Sequence, residues 1–235
     1  MWRTRVNDEL ICKKYMALLE KVADKFRVRL REKIFNPILG RCRCRYLNNN
    51  RFTIISNNCW GGHVYRFFDI PYDSPTVGLY FFSDDYIKFV YDLRKYLNGE
   101  IRFVTYKESR YKKILENRGE VECPIGIIDD IEIVFLHYKS SQEALEKWTR
   151  RKDRMHWDNL VIKMSEQNLC TPEHLRKFDN LPVRKKFVFT SEDYGLDSQI
   201  IFCDWLGKGE VVNDTLHFRK YVDLINLING KPFKK

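Results

Sequence analysis

With 235 residues, 44% of them hydrophobic and 14% aromatic, the chain is long enough to bury a sizeable core and too apolar for general disorder. Its formal charge of +10 gathers at one end, where residues 1–45 hold 13 Lys/Arg against 5 Asp/Glu. No stretch approaches the ~20 apolar residues of a membrane-spanning helix, and the opening Met1-Trp2-Arg3-Thr4-Arg5 leads into no apolar core or cleavage site of a signal peptide.

From Asp8 to about Ile34 apolar residues recur at helical spacing, with Asn7 or Asp8 as cap and Asn36-Pro37 as the stop. This basic, apolar-striped segment suits an anionic membrane surface or a nucleic acid, the membrane being the expected partner. The alternative is a helix whose stripe docks on the body while its charges face water. Gly40–Arg45 reads as a connector; its Cys42 and Cys44 lack a second Cys/His pair to complete a zinc set. Seven cysteines (Cys12, Cys42, Cys44, Cys59, Cys123, Cys170, Cys203) without a disulfide-framework spacing point to a reducing cytoplasm.

The apolar run Phe52–Ile55 then breaks into Ser56-Asn57-Asn58-Cys59-Trp60-Gly61-Gly62, followed by a helix-like His63–Phe68. This predicts strand, sharp turn and helix, with Gly61-Gly62 permitting a reversal at positive φ. Thr76–Phe82 reads as a second strand and Asp84–Leu97 as a helix capped by Ser83 and stopped by Asn98-Gly99. Ile101–Tyr106 gives a strand and Lys107–Gly119 a charged helix or excursion. Two strands flank an Asp129-Asp130 turn within Cys123–Tyr138, and a helix runs from Ser140 or Ser141 to about Arg154. Leu160–Met164, Lys186–Thr190 and Ile200–Cys203 are further strands. Thr171 caps a short helix, and Phe218–Ile228 forms a closing one. Strands alternating with helices predict an α/β fold, a mostly parallel, Rossmann-like central sheet with flanking helices, behind a basic amphipathic amino-terminal helix. The expected division is an arm over 1–45 and an α/β domain over 46–235, either single or two lobes split near 120–140.

In such sheets ligands bind at the carboxyl ends of the strands, which is where Asn57–Gly62 is expected. A cysteine at a helix start can have a depressed pKa, so Cys59 is a candidate nucleophile with His137 as base, and Asn57 or Asn58 orients the base or supplies an oxyanion donor. Cys59 as a small buried packer is the competing reading. On the second candidate segment, Lys147, Arg151 and Arg154 share one helical face, where arginine forks suit phosphate. Trp148 beside them packs inward or, like Trp60, meets a sugar ring. A nucleotide sugar or other phosphorylated sugar satisfies both features. Asp84-Asp85 and Asp129-Asp130 invite a metal reading but fit a helix start and a turn, so no metal ligand is assigned. No dinucleotide, Walker, serine-hydrolase or metalloprotease motif is present.

Four stretches together carry a resemblance: Ile54-Ile55-Ser56-Asn57-Asn58-Cys59-Trp60-Gly61-Gly62; Pro71-Tyr72-x-Ser74-Pro75-Thr76-Val77-Gly78-Leu79; Asp85-Tyr86-Ile87-Lys88-Phe89; and Lys147-Trp148-x-Arg150-Arg151-x-x-Arg154. They resemble a bacterial family often labelled exopolysaccharide biosynthesis proteins. The resemblance implies a role in building or decorating an extracellular glycan from the cytoplasmic side and supplies no catalytic residue. The function expected is a cytoplasmic, membrane-associated transferase acting on a sugar or sugar phosphate, with a nucleotide sugar as possible donor. Its pocket is expected to combine Asn57–Gly62 with Arg151 and Arg154. A cysteine hydrolase or acyltransferase and a non-catalytic assembly protein are the alternatives.

Overall fold

The computed structural model describes residue 26 and residues 30–235. Most of the amino-terminal helix expected over Asp8–Ile34, its cap and Cys12 lie outside the described residues. Asn36-Pro37 does not stop the helix that reaches it. A π-helical turn over Arg31–Phe35 leads directly into helix α1 (Asn36–Cys44), with Pro37 in the first turn. The fixed φ of Pro37 suits the first turn of α1, and the wide π turn before it accommodates the change of ladder. Gly40–Arg45 is accordingly helical up to Cys44, not a connector.

Four parallel strands form the central sheet in the order β1 (Thr53–Ser56), β5 (Leu160–Ser165), β6 (Lys186–Thr190) and β7 (Gln199–Ile201). The period-two alternation of side chains lets each strand feed two cores. Ile55, Ile162, Met164 and Val188 face one way, onto helices α3 (Ser83–Tyr91), α6 (Ser141–Lys152) and α7 (Pro172–Asp179) through Tyr86, Phe89, Trp148, Leu175 and Phe178. Ile54, Val161, Phe187 and Phe189 face the other, onto α2 (Trp60–Phe68) and α8 (Leu224–Asn229). The closing helix is shorter than its apolar pattern suggests: Phe218–Lys220 is a separate 3-10 turn, and Asp223 caps α8.

A second sheet, antiparallel β2 (Arg102–Val104), β3 (Ile125–Ile128) and β4 (Ile131–Val134), packs beside the first. Its tight turn holds Asp129 at φ 53°. Thr76–Phe82 is not the strand its apolar run suggests. Gly78 turns the chain at φ 85°, and one residue, Tyr80, bridges to Val134 of β4. The next amide, Phe81 N–H, bonds the Asn57 carbonyl at 3.1 Å, so this segment ties the antiparallel sheet to the end of β1. The helix expected over Asp84–Leu97 is two: Asp92 leaves the helical region and caps α4 (Leu93–Asn98) by accepting from the Lys95 amide. A last short helix, α5 (Lys112–Arg118), lies between β2 and β3.

Candidate functional site

β1 and β5 end side by side, and the residues just past them are locked together by side chains. The buried Asn57 amide brackets Ser165, donating to its carbonyl and accepting from its N–H, both at 2.9 Å. It extends the β1–β5 pairing by one step, with both its nitrogen and its oxygen engaged. Asn58 turns into a polar network instead. Its Oδ1 accepts from Ser56 Oγ (3.0 Å), Lys163 Nζ (3.0 Å) and the Trp60 N–H (3.1 Å), the last capping α2, while Nδ2 donates to Asp214 Oδ2 at 2.9 Å.

Lys163 lies in the middle of β5 with no exposed surface, pointing toward the aromatic rings of Trp60 and Phe189. Its ammonium ion-pairs with Asp214, which also accepts from Ser165 Oγ at 2.5 Å. Burial alone would raise the Asp214 carboxyl; Lys163, Asn58 and Ser165 outweigh it and hold the group below the usual carboxylate range. This is the arrangement a buried charge needs: a partner plus hydrogen bonds to its remaining lone pairs.

Cys59 occupies the capping position of α2, yet the helix start does not make it a thiolate. Burial, and then the negative charge of Asp214, push its pKa up to about 12. Its Sγ approaches the Leu79 carbonyl at 3.9 Å, and among the described residues no hydrogen bond joins it to His137. At this position desolvation outweighs the dipole effect.

Cys59 forms part of the wall of two cavities. The first, about 280 Å³, lies between α2, the Tyr72–Gly78 loop, His137-Tyr138 and α6. His63, Arg66, His137, Lys147 and Arg151 line it without a carboxylate. Lys147 is held by Glu143 one turn back at 2.5 Å. Burial, then Arg66 and His63, lower the pKa of His137, so it is neutral near pH 7. Arg151 is the pivot. It is 7% exposed, and its Nη1 donates to the Val77 carbonyl (2.9 Å) and Tyr138 Oη (2.6 Å). Its guanidinium also lies over the Tyr72 ring at 5.1 Å. Both oxygens are neutral, and among the described residues Arg151 makes no ion pair. A guanidinium this buried with neutral partners alone has an incomplete electrostatic shell, which an anion in the cavity would complete.

The second cavity, about 190 Å³, opens at the carboxyl end of the parallel sheet. Asn58, Gln167, Asn168, Asn213 and Thr215 supply amide and hydroxyl groups there, with Arg118, Glu120 and Asp214 as its charged members. Asn168 is set at φ 56° and accepts from Arg118 at 2.9 Å.

Of the residues expected from the sequence, Cys59, Gly62, His137 and Arg151 meet in the first cavity, and Asn58 and Cys59 in the second. The others lie elsewhere. Trp60 and Trp148 are core residues, packed on Phe187, Phe189 and Phe218, and on Phe89 and Phe135 respectively, and neither lines either cavity. Gly61 and Gly62 are helical and make no reversal. They allow close approach, since a Cβ would sit 3.3 Å from Ile54 at the first and 3.2 Å from Val77 at the second. Arg154 leaves the Lys147–Arg151 face because α6 ends at Lys152; it pairs with Asp73 at 3.3 Å and lines neither cavity. The paired aspartates are engaged by Lys88, Lys95 and Arg110. Lys163 and Asp214 escaped the sequence reading, though a lysine inside the apolar run Leu160–Met164 is the signal of a buried ion pair. Arg66 and Arg118 carry no such signal.

An uncharacterized protein of Haemophilus influenzae is 31% identical over 209 residues, covering 87% of this chain and 94% of that relative. Residues 30–229 match the family model described as a domain of unknown function, DUF1919, a span that takes in both sheets and both cavities. The chain belongs to the DUF1919 family.

Proposed function

We propose that the protein is a transferase of surface-glycan biosynthesis, exopolysaccharide or capsular, that acts on a phosphorylated sugar at the cytoplasmic side of the membrane. The observation that carries this reading is Arg151, a buried cation lacking a carboxylate partner among the described residues, in a cavity whose other basic side chains are His63, Arg66, His137 and Lys147. Phosphate is the anion its fork fits. The neighbouring amide-lined cavity offers donors and acceptors suited to hydroxyl groups, and Cys59 is common to both walls. A sugar phosphate seated with its phosphate on Arg151 and its ring toward Asn58 uses both. A nucleotide sugar is the donor class this reading expects, and the basic segment 1–45 keeps the protein near lipid-linked intermediates.

The test is a thermal-shift screen of sugar phosphates, nucleotide sugars and inorganic phosphate, each with and without Mg²⁺ or Mn²⁺. A ligand present at about 100 times its Kd stabilises the native state by about 2.7 kcal/mol. A sugar phosphate or nucleotide sugar should outperform inorganic phosphate, and the shift should vanish in Arg151→Met. A flat screen, or a shift that survives this substitution, refutes the reading.

A further inference from the structure

We infer that α1 is the membrane-docking element of this protein and that its partner is the surface of an anionic bilayer. The inference rests on the membrane-proximal part of the reading above and not on the reaction. Along the π turn and α1, the large apolar residues Ile34, Phe35, Ile38 and Leu39 recur at i, i+1, i+4 and i+5 and are all exposed, Ile38 at 66%. A soluble helix ordinarily turns such a stripe inward. This one cannot, because its other side is already fixed to the body.

The fixing is close. A Cβ on Gly40 would sit 2.4 Å from the Asp69 Cβ and 2.7 Å from the Phe68 carbonyl oxygen, so only glycine permits this approach of α1 to α2. From the same side Arg43 Nη1 donates to Asn36 Oδ1 (2.8 Å) and the Phe67 carbonyl (2.7 Å), with its guanidinium 4.0 Å above the Phe67 ring. Cys44 Sγ reaches the Phe68 carbonyl at 3.3 Å. The rotation of α1 is thereby set with its apolar stripe outward.

Charge decides what meets that stripe. Lys33, Arg41 and Arg45 are exposed beside it, and no Asp or Glu occurs from Ile34 to Phe68. An apolar face whose described charged neighbours on the helix, Lys33, Arg41 and Arg45, are all cations matches the acyl–headgroup boundary of anionic lipid. Docking would also hold α2, which contributes Gly62, His63 and Arg66 to the cationic cavity, against the bilayer surface, within reach of a lipid-linked substrate.

The experiment is sedimentation of the full-length protein with vesicles of phosphatidylcholine alone or mixed with phosphatidylglycerol. The wild type should sediment with the anionic vesicles and not with the neutral ones. Replacing Ile38 and Leu39 by glutamate should weaken that partitioning on the order of a hundredfold, with an unchanged melting temperature because both side chains are exposed. Equal binding by the double variant would overturn the assignment, leaving the adhesion to residues 1–25. Four other results would also overturn it: no binding to either vesicle, indifference to lipid charge, a lower melting temperature of the variant, or salt-dependent capture of an oligonucleotide in place of vesicles. A wild-type dimer that the variant abolishes, without vesicle binding, would reassign the stripe to contact between copies. Because the sugar-phosphate screen reads melting without lipid, its failure and this one are separable.

Discussion

Asp85 provides the sharpest test of the charge reasoning. It stands in the first turn of α3 with no exposed side-chain surface, accepting from Tyr111 Oη at 2.7 Å and the Glu132 N–H at 3.1 Å, and ion-paired with Arg110. Burial is the dominant influence and outweighs these partners, and the neighbouring Glu132 carboxylate adds to it; the pKa rises from 3.8 to about 6. Between about pH 4 and 6 such an acid is protonated in the folded protein while already ionised in the unfolded chain. Its stabilising contribution is therefore complete below about pH 4 and is lost as pH rises through about 6. At about 1.4 kcal/mol per pH unit, the loss amounts to about 3 kcal/mol. Urea unfolding of the wild type and of Asp85→Asn at several pH values between about 4 and 7 isolates it. The stability of the wild type relative to Asp85→Asn should fall by that amount as pH rises. A difference independent of pH would mean that Arg110 keeps the carboxylate ionised throughout and that desolvation does not govern this site.

Two further outcomes follow from the network at the strand ends. Lys163→Met leaves Asp214 as an unpaired buried charge and should lower stability by about 3–5 kcal/mol. Adding Asp214→Leu should recover most of that loss, whereas additive losses in the double variant would show that the pair is not mutually compensating. The Cys59 thiol, with its pKa pushed up to about 12, should resist iodoacetamide at neutral pH while exposed Cys42 and Cys203 are alkylated. Mass-spectrometric detection of equally rapid modification at Cys59 would restore it as a nucleophile candidate.

The parallel sheet was legible because β1, β5 and β6 announce themselves by dense apolar, β-branched or aromatic runs, and because Thr171-Pro172 and Ser140 cap helices through purely local chemistry. Thr76–Phe82 misled for an instructive reason: burial makes a run apolar whether or not its amides enter a ladder, and here Gly78 turns the chain away after Val77. Asp92 splits a continuous apolar pattern at a cap that spacing alone does not reveal. Within the site, Cys59, His137 and Arg151 could be named from residue type, but their neighbours are matters of distance in space. Asn58 and Asp214 are 156 residues apart, and nothing local in either segment signals the other. Trp60 and Trp148 illustrate the converse, since an indole suited to a sugar face is equally suited to filling a core.

The Lys163–Asp214 pair also bears on the order in which the chain can fold. β5 pairs with β1 across more than a hundred residues, Ile54 opposite Val161, and the carboxylate that neutralises its central lysine arrives later still. Until residue 214 has left the ribosome, closing the sheet would strand an ammonium between Trp60 and Phe189. Non-local pairing already makes such topologies slow to nucleate. Here the missing counter-charge adds a late checkpoint: a chain that ends at Ile201 has all four strands of the parallel sheet but lacks the group that allows them to close.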